Sequence, residues 1–344
     1  MHRKLFVLIG SLVLVLLTTS GCLDLFAVPG IVVSPDGSTA YFIGGGLDME
    51  SGEDLQTSLT ALNLSDGSTE VLVEGDENTL ISAFAVNPVD GTLAFVRSVQ
   101  GGAFTLEVYN GGSTAVVVEL PTNTIGTMAA FSPDGNWLAL TLVTLPEGMA
   151  EGEEFSAEAA ATATFGVYLV NGADGSVTLI SDDANTRANT LAWSPDGSYL
   201  AYNAWVDSNG DGRIQTSGGF DMSAMMGGAS TDAPQPDLSH IFVYDVAAGS
   251  TTQIETETVD YGQVFLDDST LAYVSINFAG MMTGEMPGIN IYDIGSGESE
   301  SVYSAQALIS GIALSPDGSM VAWTESSSQM PSGSGGEEET PSST

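Results

Sequence analysis

Cations, histidine and cysteine are scarce in this chain. Its 344 residues hold 5 Lys plus Arg against 44 Asp plus Glu, with 2 His and 1 Cys. A formal charge of −39 repels phosphate backbones, so nucleic acid is excluded as an expected partner. One cysteine makes no internal disulfide, so no disulfide framework holds the fold. Two histidines leave little material for His-based catalysis or a His-rich metal site. What is present is apolar: 43% of residues are hydrophobic, enough to build a core despite the charge. The length allows one large all-β domain or two ordinary domains.

The first residues read as an address. Arg3 and Lys4 form a basic start, and Leu5 to Leu17 is an apolar run too short to span a bilayer comfortably. Small residues follow, then Cys22. This is the pattern of a secretory signal. The ending Thr19-Ser20-Gly21-Cys22 resembles the bacterial lipoprotein signal, with Thr19 where Leu is usual. The resemblance implies removal of residues 1–21, lipidation of Cys22 and a tether over 22–27. Several acyl chains on one cysteine would hold the protein at a membrane without a spanning helix. Without Arg3 and Lys4 only Arg97, Arg187 and Arg213 face the 44 acids. An anionic bilayer would repel that surface, so attachment falls to the lipid. The expected location is the outer side of the cytoplasmic membrane, the periplasm or the outer membrane.

The body repeats. Ser34-Pro35-Asp36-Gly37 recurs at Ser132, Ser194 and Ser315, with degenerate copies at Asn87-Pro88-Val89-Asp90-Gly91 and Leu266-Asp267-Asp268-Ser269. An apolar run precedes and follows each copy, and the second run carries an Ala at constant phase: Ala40, Ala94, Ala139, Ala201, Ala272 and Ala322. Pro presets φ for the turn, Asp suits the next position, and Gly takes the positive φ that closes a hairpin. A third and fourth strand follow in five copies, as in Ile241-Phe242-Val243-Tyr244-Asp245 and Ile289-Asn290-Ile291-Tyr292-Asp293. Four strands per unit read as a propeller blade.

The copies resemble TolB-like, or PD40 (WD40-like), β-propeller repeats, with an S-P-D-G turn, then L-A-Y, then I-Y-V-Y-D. The resemblance spans nearly all of residues 28–325 and implies an all-β, six-bladed propeller of four-stranded antiparallel blades. The last blade looks incomplete, unless a stretch near Phe26-Ala27-Val28 adds an outer strand. The Ser-, Gly- and Glu-rich residues 326–344 read as a disordered acidic tail.

Insertions fall after the second strand of several copies: Gly44–Thr57, Leu145–Ala163, Asp207–Ser239 and Ala279–Gly288. In a four-stranded blade these share one face of the disc, and the S-P-D-G turns share the other. The third insertion begins Asp207-Ser208-Asn209-Gly210-Asp211-Gly212-Arg213. Oxygens from Asp207, Asn209 and Asp211, with the Arg213 carbonyl, would converge on a Ca²⁺ ion. The stretch resembles EF-hand and dockerin loops but has Gly218 where the closing acid belongs, so Asp221 is the nearest substitute. The expected role of the ion is structural. The insertions also carry Met149, Met222, Met225, Met226, Met281, Met282 and Met286. Gathered on one face, these thioethers suit an envelope protein or peptide partner.

Motifs for chemistry are few. Glu151, Glu153, Glu154 and Glu158 read as a solvated acidic run. His240, between Ser239 and Ile241, reads as a structural strand residue. No G-x-S-x-G, G-x-G-x-x-G or Walker pattern is present. The sequence therefore points to a monomeric, non-enzymatic, lipid-anchored interaction or ligand-binding propeller. The alternative is a propeller enzyme or saccharide-binding protein acting on envelope glycans through carboxylates in a central pocket.

Overall fold

The computed structural model describes residues 30–44, 57–76, 78–99, 102–144, 164–181, 187–207, 237–254, 256–277, 285–315, 318 and 320–326. These residues form strands and turns, with no α-helix among them. Blade 1 contains β1 (Val32–Val33), β2 (Thr39–Gly44), β3 (Ser58–Asn63) and β4 (Thr69–Glu74). Blade 2 contains β5 (Thr79–Val86), β6 (Leu93–Val99), β7 (Phe104–Asn110) and β8 (Ser113–Glu119). Blade 3 contains β9 (Thr124–Phe131), β10 (Trp137–Thr144), β11 (Thr164–Asn171) and β12 (Val177–Leu179). Blade 4 contains β13 (Arg187–Trp193), β14 (Tyr199–Val206), β15 (Leu238–Asp245) and β16 (Ser250–Ile254). Blade 5 contains β17 (Val259–Phe265), β18 (Thr270–Ile276), β19 (Gly288–Asp293) and β20 (Glu298–Ser304). The sixth sheet pairs β21 (Leu308–Leu314) with β22 (Val321–Ser326).

Each of the five four-stranded sheets is an antiparallel meander in chain order. Successive first strands touch one another: β1 meets β5, β5 meets β9, β9 meets β13, β13 meets β17, and β17 meets β21. First strands are therefore innermost and the sheets stand side by side as blades. This is the expected six-bladed β-propeller. Phe26–Val28 and most of the acidic tail lie outside the described residues.

The constant-phase alanines explain how closely the blades stack. Ala40, Ala94, Ala139, Ala201 and Ala272 are all buried on second strands. Larger side chains fill the neighbouring positions: Phe95, Leu140, Leu200 and Leu271 are fully buried. Each such side chain contributes roughly 1.5–3 kcal/mol by leaving water. The clusters span blade boundaries, as where Tyr202 and Leu200 of blade 4 pack with Val167 and Leu169 of blade 3. Ala322 departs from the pattern. It is exposed, on a sheet that has two strands among the described residues.

The S-P-D-G turn uses its serine in a way the sequence reading missed. Ser132 Oγ donates to Asp134 Oδ1 at 2.6 Å and accepts from the Trp137 amide at 3.0 Å. Ser194 does the same with Asp196 and the Tyr199 amide, at 2.8 and 2.9 Å. Gly37, Gly135, Gly197 and Gly318 sit at φ between 70° and 74°, the left-handed region where a Cβ is strained. The bound hydroxyls hold the turn carboxylates below their ordinary range. The Ser34 hydroxyl, helped by Ser38, brings Asp36 down to about 2.

Inner strands carry a second regularity. β5, β9, β13, β17 and β21 each slip register against their second strand, a β-bulge in every case. Ala83 at φ 39° and Gly262 at φ 66° occupy two of these bulges. A bulge bends and twists its strand, here at corresponding places around the axis.

Candidate functional site

Blades 4 and 5 enclose a polar cluster at their seam. Asp260 on β17 is fully buried. Its carboxylate accepts from Thr258 Oγ1 at 2.9 Å, from Ser275 Oγ at 2.6 Å, and from Thr256 Oγ1. Three hydroxyls thus converge on one carboxyl. Ser275 accepts in turn from Asn290 Nδ2 at 2.7 Å. Across the seam, Asn203 Nδ2 donates to Ser239 Oγ at 2.5 Å and to the Asp260 carbonyl. His240 on β15 is 5% exposed, and its Nδ1 lies 4.0 Å from Asp260 Oδ2. That nitrogen has no hydrogen-bond partner.

The cluster backs a cavity of about 800 Å³, within the size range of small-ligand pockets. Thr256, Thr258, Ser275 and Asn290 line it, beside Tyr273, Asn277, Glu285, Met286 and Gln306. The cavity sits where β18 ends, β19 begins and the chain leaves β20, which is the insertion face rather than the S-P-D-G face. Tyr273 donates to Ser299 Oγ at 3.1 Å. Burial, aided by the Asp260 charge, holds its phenol above the ordinary value, so it remains a donor. Asn277 Nδ2 donates to Glu285 Oε2 at 3.0 Å on the lip. With the hydroxyl protons of Thr256, Thr258 and Ser275 spent on Asp260, their lone pairs are left to accept. The side-chain amides around them donate.

Most residues singled out from the sequence lie outside the described residues: Cys22, Asn209, Asp211, Arg213, Asp221, Met149, Met222, Met225, Met226, Met281 and Met282. Asp207 is described, directly after β14, and is half-buried. Met286 is 38% exposed and lines the cavity. Among the described residues no group of three His, Cys, Asp or Glu side chains could hold a metal ion. Asp260, Ser275 and Asn290 were not singled out from the sequence, and His240 was read as structural. The available signal was an acid inside an apolar inner strand, Val259-Asp260-Tyr261.

No family model matches the sequence, and no curated protein does. Solved structures do match. An oligogalacturonate lyase in complex with manganese aligns at TM-score 0.56 and 16% identity, over 86% of this chain and 69% of that one. The Pyrococcus horikoshii acylaminoacyl peptidase aligns at 0.52 and 13% identity, over 84% of this chain and 41% of that one. TolB from Acinetobacter baumannii aligns at 0.45 and 16% identity, over 82% of this chain and 56% of that one. The fold is a β-propeller, and the chain's own sheets carry that assignment.

The expectation of a non-enzymatic protein is corrected at this point. It rested on missing local motifs. The structures that align over most of the chain include a lyase and a peptidase. A propeller assembles its sites from side chains of several strands, so no contiguous motif is required.

Proposed function

We propose that this chain is an exported, lipid-anchored β-propeller that binds a neutral polyhydroxylated ligand, a segment of an envelope glycan, in the blade 5 cavity and acts on it. The cavity wall carries the reading. Hydroxyl oxygens oriented by Asp260 would accept from sugar hydroxyls, and amides of Asn277, Asn290 and Gln306 would donate. Glu285 is the carboxylate on the wall among the described residues and is the proposed acid or base. The lyase that aligns with this chain is named for an acidic oligosaccharide. A chain of net charge −39 opposes such a substrate, which favours a neutral one.

Around this site, lipidated Cys22 would fix the disc to a membrane. The Met-bearing insertions, with Met286 on the cavity wall, would give an envelope protein or peptide an adaptable footing. The loop from Asp207 to Arg213, with Asp221, would bind Ca²⁺ through an all-oxygen donor set. The test is calorimetry and product analysis with parallel panels of neutral and uronate oligosaccharides. Neutral saccharides should bind and be shortened, and Glu285→Gln should bind without turnover. Failure of both panels to bind would remove the reading.

A further inference from the structure

We propose that His240 and Asp260 form a proton-operated latch across the blade 4–blade 5 seam that resets the hydrogen bonding of the cavity wall. The geometry supplies each part. His240 Nδ1 is buried, without a partner, and 4.0 Å from Asp260 Oδ2. An unprotonated Nδ1 facing a carboxylate oxygen sets lone pair against lone pair. A proton taken from solvent onto Nδ1 makes both ring nitrogens donors. A charge-assisted bond of about 2.7–2.9 Å then draws β15 toward β17 by roughly 1 Å.

The change reaches the cavity through Thr256. Its hydroxyl occupies the same Oδ2 that protonated His240 would take. It has a second acceptor, the Thr258 carbonyl, at 3.4 Å. Oδ2 can accept two bonds, as Oδ1 does from Thr258 and Ser275. The His240 bond would therefore share Oδ2 with Thr256, weaken its hold and let that hydroxyl turn toward the Thr258 carbonyl or the cavity it lines. Ser275 and Thr258 stay on Oδ1, so the effect centres on one wall of the pocket. Other titratable residues on the strands around His240 include Tyr202 on β14, Asp237 before β15, Glu257 before β17, Tyr261 on β17 and Tyr273 on β18, and β13 begins with the cation Arg187. The latch holds whatever ligand the cavity takes.

NMR on the full chain tests it without a ligand. His2 and His240 are the two histidines, so His2→Gln assigns the remaining imidazole signal. The His240 ring and the Thr256 methyl and amide signals should move together with one common midpoint. The Thr256 response should vanish in His240→Gln. It should also vanish in Asp260→Asn where that variant folds. A His240 ring that does not titrate, or Thr256 signals that move unchanged in His240→Gln, overturns the latch. Neither outcome depends on saccharide binding.

Discussion

The Asp196 amide in blade 4 donates to the Asp268 carboxylate in blade 5 at 3.0 Å. An intact S-P-D-G turn is thus tied to a degenerate one. The same happens between blades 2 and 3, where Asn87 Nδ2 donates to the Gly135 carbonyl at 3.3 Å. In both pairs a side chain of the degenerate copy reaches the neighbouring turn. Asp268→Ala should lower stability by about 0.5–1 kcal/mol, as expected for one exposed hydrogen bond. Asp268→Asn should retain most of it. Urea denaturation of the two variants compares them directly.

Ser132 is fully buried, and its hydroxyl serves two partners in its turn. Ser132→Ala strands the Trp137 amide and removes a donor from Asp134, at a cost of about 1–2 kcal/mol at neutral pH. The Ser132 hydroxyl is the largest cause holding Asp134 below the ordinary carboxylate value. A carboxyl lowered in the folded state adds stability above its unfolded pKa and loses it as pH falls toward the folded one. Wild type should therefore weaken below about pH 4, with Asp36 the last of these turns to go, near 2. The gap between Ser132→Ala and wild type should be full at pH 7 and narrow below about pH 4. A gap that stays constant across that range refutes the assignment.

Within-blade structure was legible because each blade is written in a contiguous stretch. Ser-Pro-Asp-Gly announces a turn by local backbone chemistry, and Ala139 announces its strand by phase. What joins one blade to the next was not legible. His240 and Asp260 come from different sheets, and no period in the sequence links them. The inner-strand bulges were also hidden, since Ala83 and Thr127 sit in apolar runs that read as regular strands. The calcium and methionine readings fall largely on insertions beyond the described residues, where sequence spacing is the sole guide.

Gly126 on β9 marks how tightly inner strands approach. A Cβ there would lie 2.7 Å from Ala83 Cβ and 2.8 Å from Val96 Cγ2. Both neighbours belong to blade 2 and are buried, so neither can yield cheaply. Gly126→Ala should cost about 1–3 kcal/mol by overpacking. The denaturant midpoint should fall with an unchanged slope. A pairing with Val96→Ala should recover part of the loss.

The Asp207–Arg213 loop gives a metal prediction. Calorimetric titration of Ca²⁺ into metal-free protein should give saturable binding, abolished in Asp211→Ala. Binding to the folded state alone should also raise the melting temperature as Ca²⁺ rises. No heat in wild type would leave the loop a solvated turn.

Arg97 and Glu107 form the internal ion pair of blade 2, with Nε 2.8 Å from Oε1. Glu107 is 6% exposed, and Thr105 Oγ1 donates to the same oxygen at 3.1 Å. Arg97 also lies over the Phe95 ring, 5.6 Å from its centroid. Removing the cation leaves a buried carboxylate with one hydroxyl donor. The Arg97 side chain is 21% exposed, so the loss belongs at the low end for a buried pair. Arg97→Met should cost about 3 kcal/mol. Most of that is the penalty of the orphaned charge, not the worth of the pair. Glu107→Leu added to Arg97→Met should therefore return stability toward wild type. A double variant no more stable than Arg97→Met would show that Arg97 acts through Phe95 packing instead.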